Sequence, residues 1–130
     1  MWQMCGLGPM AGQAHHFRRY APEGNEYSTD RFVTESARLY DVMDRHLTDR
    51  EWLAGNEYSI ADIACWGWVW FHPMHGQNLA DFAAVERWFT AISNRPAVQR
   101  GRTLGLEDQP VETRARMMGP YYGALTPDPA

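Results

Sequence analysis

The tetrad Ser59-Ile60-Ala61-Asp62, followed by an uncharged apolar run from Ile63 to Phe71, constrains the fold of this chain more than any other feature. A serine at a helix N-cap accepts a backbone N–H of the first turn, and an acid three residues later reaches back to the serine's own N–H. Two donors that a helix start otherwise leaves orphaned are satisfied together. Ser59 and Asp62 are therefore expected to form a structural capping box, with Tyr58 packing on Ile63 as a hydrophobic staple. The helix begun there is apolar nearly all round, which predicts a central buried helix with others packed about it. Gly67 is expected to allow close approach of a neighbour, and Pro73 to kink or end the helix.

The flanking patterns are helical as well, and strand signals are nearly absent. Residues 1–17 carry Trp2, Cys5, Met10, Ala14 and Phe17 at three- and four-residue spacings broken by Gly6, Gly8 and Pro9, which predicts a kinked helix ended by the loop Arg18 to Ser28. From Ser28 or Thr29 as cap, Phe32, Ser36, Tyr40, Met43 and Leu47 share one face opposite Arg31, Glu35, Arg38, Asp41 and Arg45. Phe82, Val85, Trp88, Phe89 and Ile92 mark a fourth helix, ended at Asn94-Arg95-Pro96 before a short turn at Ala97 to Arg100. The expected fold is all-α, with about four to five helices around the one that starts at Ser59. Residues 1–104 form the folded domain, and the proline-interrupted residues 105–130 a loosely packed tail.

Composition narrows the function. Twelve basic residues, all arginine, face sixteen carboxylates, and no block concentrates positive charge, which argues against a nucleic-acid partner. No run reaches the ~18 apolar residues of a membrane span, and the opening segment lacks the basic lead of a signal peptide. Cys5 and Cys65 have no framework spacing and read as buried free thiols of a reducing compartment, the cytoplasm by default.

Gly6-Leu7-Gly8-Pro9-Met10-Ala11-Gly12 misses the dinucleotide fingerprint by one position and follows no strand. His15-His16 and His72-x-x-His75 lack a completing thiolate or carboxylate, so no metal is expected. Cys5 has no neighbouring base to activate it as a nucleophile. Trp66, Trp68, Trp70 and Trp88, at helical spacing, read mainly as core. Arg31 falls in the first turn of its expected helix, where its charge opposes the helix dipole. It serves either as a surface ion pair or as a guanidinium held for a ligand carboxylate.

Three segments carry a family resemblance. The Ser-Ile-Ala-Asp-Ile-Ala box at residues 59–64, the opening Trp2 to Phe17, and the ordered set R-F-V-T-E-S-A-R-L-Y, W-L-A-G-N-E-Y and R-W-F-T-A-I-S-N-R-P-A-V together resemble the C-terminal all-helical domain of cytosolic glutathione transferases. The resemblance is in particular to the bacterial nu-class disulfide reductases and their fungal nitrogen-regulator relatives. The resemblance covers about residues 1–104 and implies a first helix cut at its N-terminal end, together with the absence of the thioredoxin-like domain that binds glutathione. It implies that Arg31 reaches a glutathione carboxylate and that Gln3, Met10, Gln13 and Phe17 line the substrate cleft. It also implies that no catalytic residue lies in this chain, that glutathione is a substrate requiring the other domain, and that a small electrophile or disulfide is its partner in the reaction. A homodimer is implied for the full-length family, and inactivity for this chain alone. The alternative reading is a non-catalytic interaction module of the same fold.

Overall fold

The computed structural model describes residues 1–104 and Pro110, and all of the regular structure among them is helical. The tail expected at 105–130 lies outside the described residues apart from Pro110. Two compact units divide the chain, Met1–Ser93 and Asn94–Ala130. The first holds α1 (Gly8–Arg19), α2 (Glu26–Leu47), α3 (Ile60–Val69) and α4 (Ala83–Ser93), and the second holds α5 (Pro96–Thr103). No helix among the described residues is long and apolar enough to cross a membrane.

The kink expected in the first helix takes the form of a wide π-helical turn, Gln3–Leu7, leading directly into α1. Gly8 N–H donates to the carbonyl of Gln3, five residues back. Pro9 has no N–H and its ring crowds the carbonyl four residues earlier, so a widened turn relieves the conflict where a tight one would not. The shift in register decides which side chains face inward: Leu7, Gly8, Ala11 and Ala14 are buried, whereas Cys5, Pro9 and Gln13 point to solvent. The expectation of a buried Cys5 is thereby overturned.

Helix α2 also begins earlier than expected, at Glu26 behind Asn25. Asn25 donates its amide to Pro22 O, and Thr29 Oγ1 donates to Asn25 Oδ1 at 2.5 Å, which holds the entry loop without Ser28 or Thr29 acting as cap. Arg31 is consequently the sixth residue of the helix, outside the first turn, and the dipole argument for it fails. The buried stripe Ser36, Leu39, Tyr40, Met43 and Leu47 follows the expected face.

At α3, Ser59 Oγ accepts from Ala61 N at 3.2 Å, and Asp62 Oδ2 accepts from Ser59 N at 2.9 Å, closing the capping box. Asp62 is fully buried and does more than cap. Its Oδ1 accepts from Leu53 N at 2.9 Å and from Trp88 Nε1 at 2.8 Å, joining the preceding loop and α4 to the start of α3. The apolar run does not produce a helix buried all round. Asp62, Cys65 and Val69 face the core, while Ile60 is 84% and Ile63 55% exposed. Gly67 is likewise not a point of close approach, since a Cβ there would meet open space. The close approach occurs on the other helix: a Cβ on Gly8 would stand 3.1 Å from the Trp68 ring, and one on Gly12 3.6 Å. Trp88 is buried in the core, whereas Trp66, Trp68 and Trp70 are half-buried.

Ends of α2 and α4 are tied by side chains from across the unit. Asp44 Oδ1 accepts from Ala84 N and Val85 N at 2.8 and 3.0 Å, capping α4, and Arg87 Nη2 donates to Leu47 O and Arg50 O at 2.6 and 2.8 Å, capping α2. Both caps complement the helix dipoles they meet. Helix α3 ends at Val69, and Pro73 sits in a 3-10 turn, His72–His75, closed by Gly76 at φ +74°. Glycine suits that position because its left-handed backbone is strained for any residue with a Cβ, which would also crowd Val33 at 3.2 Å. In the second unit the short turn expected after Pro96 is a two-turn helix, α5.

Candidate functional site

An open cleft of about 790 Å³ runs along the start of α2, with Met10 of α1 on one side and Tyr27, Arg31 and Thr34 of α2 on the other. Residues 27, 31 and 34 share a helical face, so the earlier start of α2 brings Tyr27 onto the same wall as Arg31. Arg31 is exposed and makes no ion pair or hydrogen bond among the described residues. Its neighbour Glu35 is bonded elsewhere: Arg38 donates to both Glu35 oxygens at 2.8 and 2.7 Å, and these bonds, with smaller contributions from the charges of Arg38 and Arg31, lower the carboxyl pKa. A guanidinium thus stands at an aromatic-edged opening with Asp30 and Glu35 nearby. Its donor fork is matched to a carboxylate, and the neighbouring acids suit an amino group on the same ligand. Among the described residues no thiol or imidazole lines this cleft.

Only part of the expected constellation gathers there. Met10 and Arg31 line the same cleft; Phe17 stacks on Phe32, a cleft residue, with ring centroids 5.4 Å apart, but itself opens onto a separate hollow with Glu23 and Glu26. Gln3 lines a different, apolar cavity of about 470 Å³, and Gln13 lies exposed on the outer face of α1. Tyr27 and Thr34 escaped the sequence reading as cleft residues; a helix capped by Ser28 or Thr29 starts three or four residues later than the observed one and leaves Tyr27 outside it. Counting four back and three forward from Arg31 places both on its face.

The histidines form a structural cluster. His75 is 1% exposed, with Nδ1 3.3 Å from Tyr40 Oη and its ring near those of His15 and Trp68. Burial, reinforced by His15, His72 and Arg18, depresses its pKa to about 3. His72 Nδ1 meets Val69 O at 3.0 Å and its pKa is also lowered by burial. These rings are neutral and packed, and among the described residues no three His, Cys, Asp or Glu side chains could hold a metal ion. Of the two thiols, Cys65 is buried, and desolvation with the nearby Asp62 pushes it up to about 12. It is no nucleophile at neutral pH.

Fold and cleft together place the chain among all-helical domains of the glutathione transferase type. The chain belongs to the glutathione S-transferase C-terminal domain family, whose profile matches residues 6–96. The chain is 47% identical over 96 residues to the disulfide-bond oxidoreductase YfcG of Escherichia coli K12, a match covering 74% of this chain and 45% of that one. It is 36% identical over 119 residues to the disulfide-bond oxidoreductase YghU of the same organism, covering 85% and 41%. Among solved structures, a Pseudomonas putida glutathione transferase with one glutathione disulfide bound per subunit matches with TM-score 0.72 and 42% identity, covering 81% of this chain and 48% of that one. A Burkholderia graminis glutathione transferase with two glutathione molecules bound per subunit matches with TM-score 0.69 and 40% identity, covering 81% and 47%. The chain spans less than half the length of these relatives.

Proposed function

We propose that this chain is the substrate-binding and dimerisation part of a glutathione transferase or glutathione-dependent disulfide reductase, working in the cytoplasm, and that Arg31 contacts a carboxylate of glutathione. The observation that carries this reading is the exposed Arg31 guanidinium, whose hydrogen-bond donors are unused among the described residues and which shares an open cleft with Met10 while the Glu35 oxygens are held by Arg38. Relatives that act on disulfides or are seen with glutathione bound supply the substrate class: glutathione with a disulfide or a small electrophile. No thiol or imidazole lines the cleft among the described residues, and on this reading the thiolate chemistry belongs to the part of the longer relatives that this chain does not match. On this reading Arg31 supplies charge and orientation, and Tyr27 and Phe32 supply an apolar edge.

Joining the chain behind the preceding part of the 47%-identical E. coli relative tests the proposal. The joined protein is expected to reduce hydroxyethyl disulfide with glutathione. Arg31→Ala should raise KM for glutathione about tenfold, corresponding to about 1.4 kcal/mol of lost binding, with a smaller change in kcat. An unchanged KM would remove Arg31 from the site. The 130-residue chain alone is expected to show no turnover.

A further inference from the structure

The apolar cavity away from Arg31 is rich in sulfur. Met1, Met4, Met43 and Cys65 all line it, His46 stands beside them, and among the described residues no Asp, Glu, Lys or Arg does. The side chains come from three elements: Met4 from the π turn, Met43 and His46 one turn apart on α2, and Cys65 from the core side of α3. Met43 and Cys65 are buried, while Met4 is exposed. The His46 ring has a fixed orientation. Its Nε2 lies 3.0 Å from Leu53 O, and since a carbonyl can only accept, the neutral ring carries its proton on Nε2 and keeps the Nδ1 lone pair free. A histidine that holds a metal commonly donates its other ring N–H in this way, which sets both tautomer and direction.

We propose that this cavity is a site for a soft monovalent cation, copper(I), with Cys65 Sγ, His46 Nδ1 and the Met43 and Met4 thioethers as its donors. Cys65 and His46 alone would be an incomplete set, and the two thioethers complete it. Donor type selects the ion. Thiolate and thioether sulfur with an imidazole nitrogen suit copper(I), whereas zinc takes thiolates, imidazoles and carboxylates, and magnesium and calcium take oxygen. Charge selects it as well, because an uncompensated charge in an apolar cavity is costly. When the ion binds, the Cys65 thiol releases one proton to solvent, an S–Cu bond replaces the S–H bond, and no electron is transferred. One positive charge enters as one leaves, so the cavity's net charge is unchanged. A divalent ion would leave an extra charge that no lining carboxylate offsets. Methionine side chains are unbranched and adaptable, so Met4 can turn in over the ion without a backbone movement.

Anaerobic titration of the 130-residue chain with copper(I) buffered by bicinchoninate provides the test. One ion per chain is expected, with sulfur and nitrogen neighbours in X-ray absorption, and zinc(II) titrated in the same way should show no binding. Cys65→Ala should weaken copper(I) binding by about a hundredfold, and His46→Gln by about tenfold. Met4→Leu with Met43→Leu conserves volume and should weaken it by about tenfold too, while Cys5→Ser, which removes the exposed thiol, should change it by less than about twofold. Copper(I) should raise the melting temperature of the parent and leave that of Cys65→Ala unmoved. If circular dichroism shows Cys65→Ala to be unfolded, the leucine pair decides the question, because it keeps the core filled. Absence of binding, loss of binding in Cys5→Ser, or affinity unmoved by the leucine pair would each overturn the proposal. Zinc(II) held at one per chain and lost in Cys65→Ala would assign the site to a divalent ion and overturn it as well. None of these measurements involves glutathione or Arg31, so the site stands or falls apart from the function proposed above.

Discussion

The surroundings of Asp62 and those of Arg31 use charge in opposite ways. Asp62 is buried, and its two oxygens accept four hydrogen bonds, from Leu53 N, Ser59 N, Ser59 Oγ and Trp88 Nε1. Arg31 is exposed, and Glu35, one turn along the helix, is paired with Arg38. A buried charge is tolerable only when its bonding capacity is filled, so Asp62 has no capacity left for a ligand. An exposed guanidinium costs little to leave unpaired and keeps its donors for one. The contrast separates the residue that builds the domain from the residue that gives it a use.

Removing Asp62 should have the largest effect. Asp62→Ala leaves two part-buried backbone donors and a buried indole N–H without acceptors, and is expected to destabilise by about 3–5 kcal/mol in a thermal melt; a loss under about 1 kcal/mol would erase the contrast with Arg31. Acid should come next. The pKa of His75 is depressed from its usual 6.5 to about 3 in the folded state, so the unfolded chain binds the proton first as pH drops. The stability tied to keeping this ring neutral is present above about pH 6.5 and is lost as pH falls toward about 3, on the order of 3 kcal/mol between about pH 8 and pH 4. His75→Gln should remove that part of the pH slope.

Smaller effects sharpen the comparison. Asp44→Ala removes the cap of α4 and should cost about 1–2 kcal/mol. Ser36→Ala should do the reverse, because Ser36 Oγ is buried without a hydrogen-bond partner among the described residues; a gain of about 0.5–1 kcal/mol is expected from losing an unsatisfied hydroxyl and adding helix propensity. Arg31→Ala should sit at the bottom of the stability scale, within about 0.5 kcal/mol of the parent, while carrying the change in glutathione KM. A large melting shift in Arg31→Ala would show that it holds the fold and reclassify it with Asp62.

What could be read from the sequence is what depends on neighbours along the chain. The Ser59–Asp62 box, the inward stripe of α2 and the burial of Val85, Trp88 and Ile92 all repeat at helical spacing. What could not be read depends on partners far away or on a change of register. Nothing local to Asp44 says that it caps a helix 40 residues on, and nothing local to Asp62 says that its second oxygen holds Trp88. Cys5 reads as buried because it lies within an apolar run, but it falls in the π turn and is exposed. The run Ile60 to Val69 was read as enclosed because apolar composition records what a surface is made of and not what covers it. In the cleft, Met10 and Arg31 meet, but Gln3 and Gln13 do not join them, since the same π turn and the outward face of α1 direct them elsewhere.

Loop-closure entropy predicts the order in which bonds gather around the Asp62 carboxylate. Its partners lie 3, 9 and 26 residues away along the chain. Closing a loop costs more entropy the longer it is, so the box with Ser59 forms at least cost and the bond to Leu53 follows. The indole of Trp88 then docks onto an acceptor that is already held in place. One side chain therefore acts as a sequence of nested closures, each shortening the search for the next. Substitutions at Ser59 should slow refolding, whereas substitutions at Trp88 should chiefly speed unfolding.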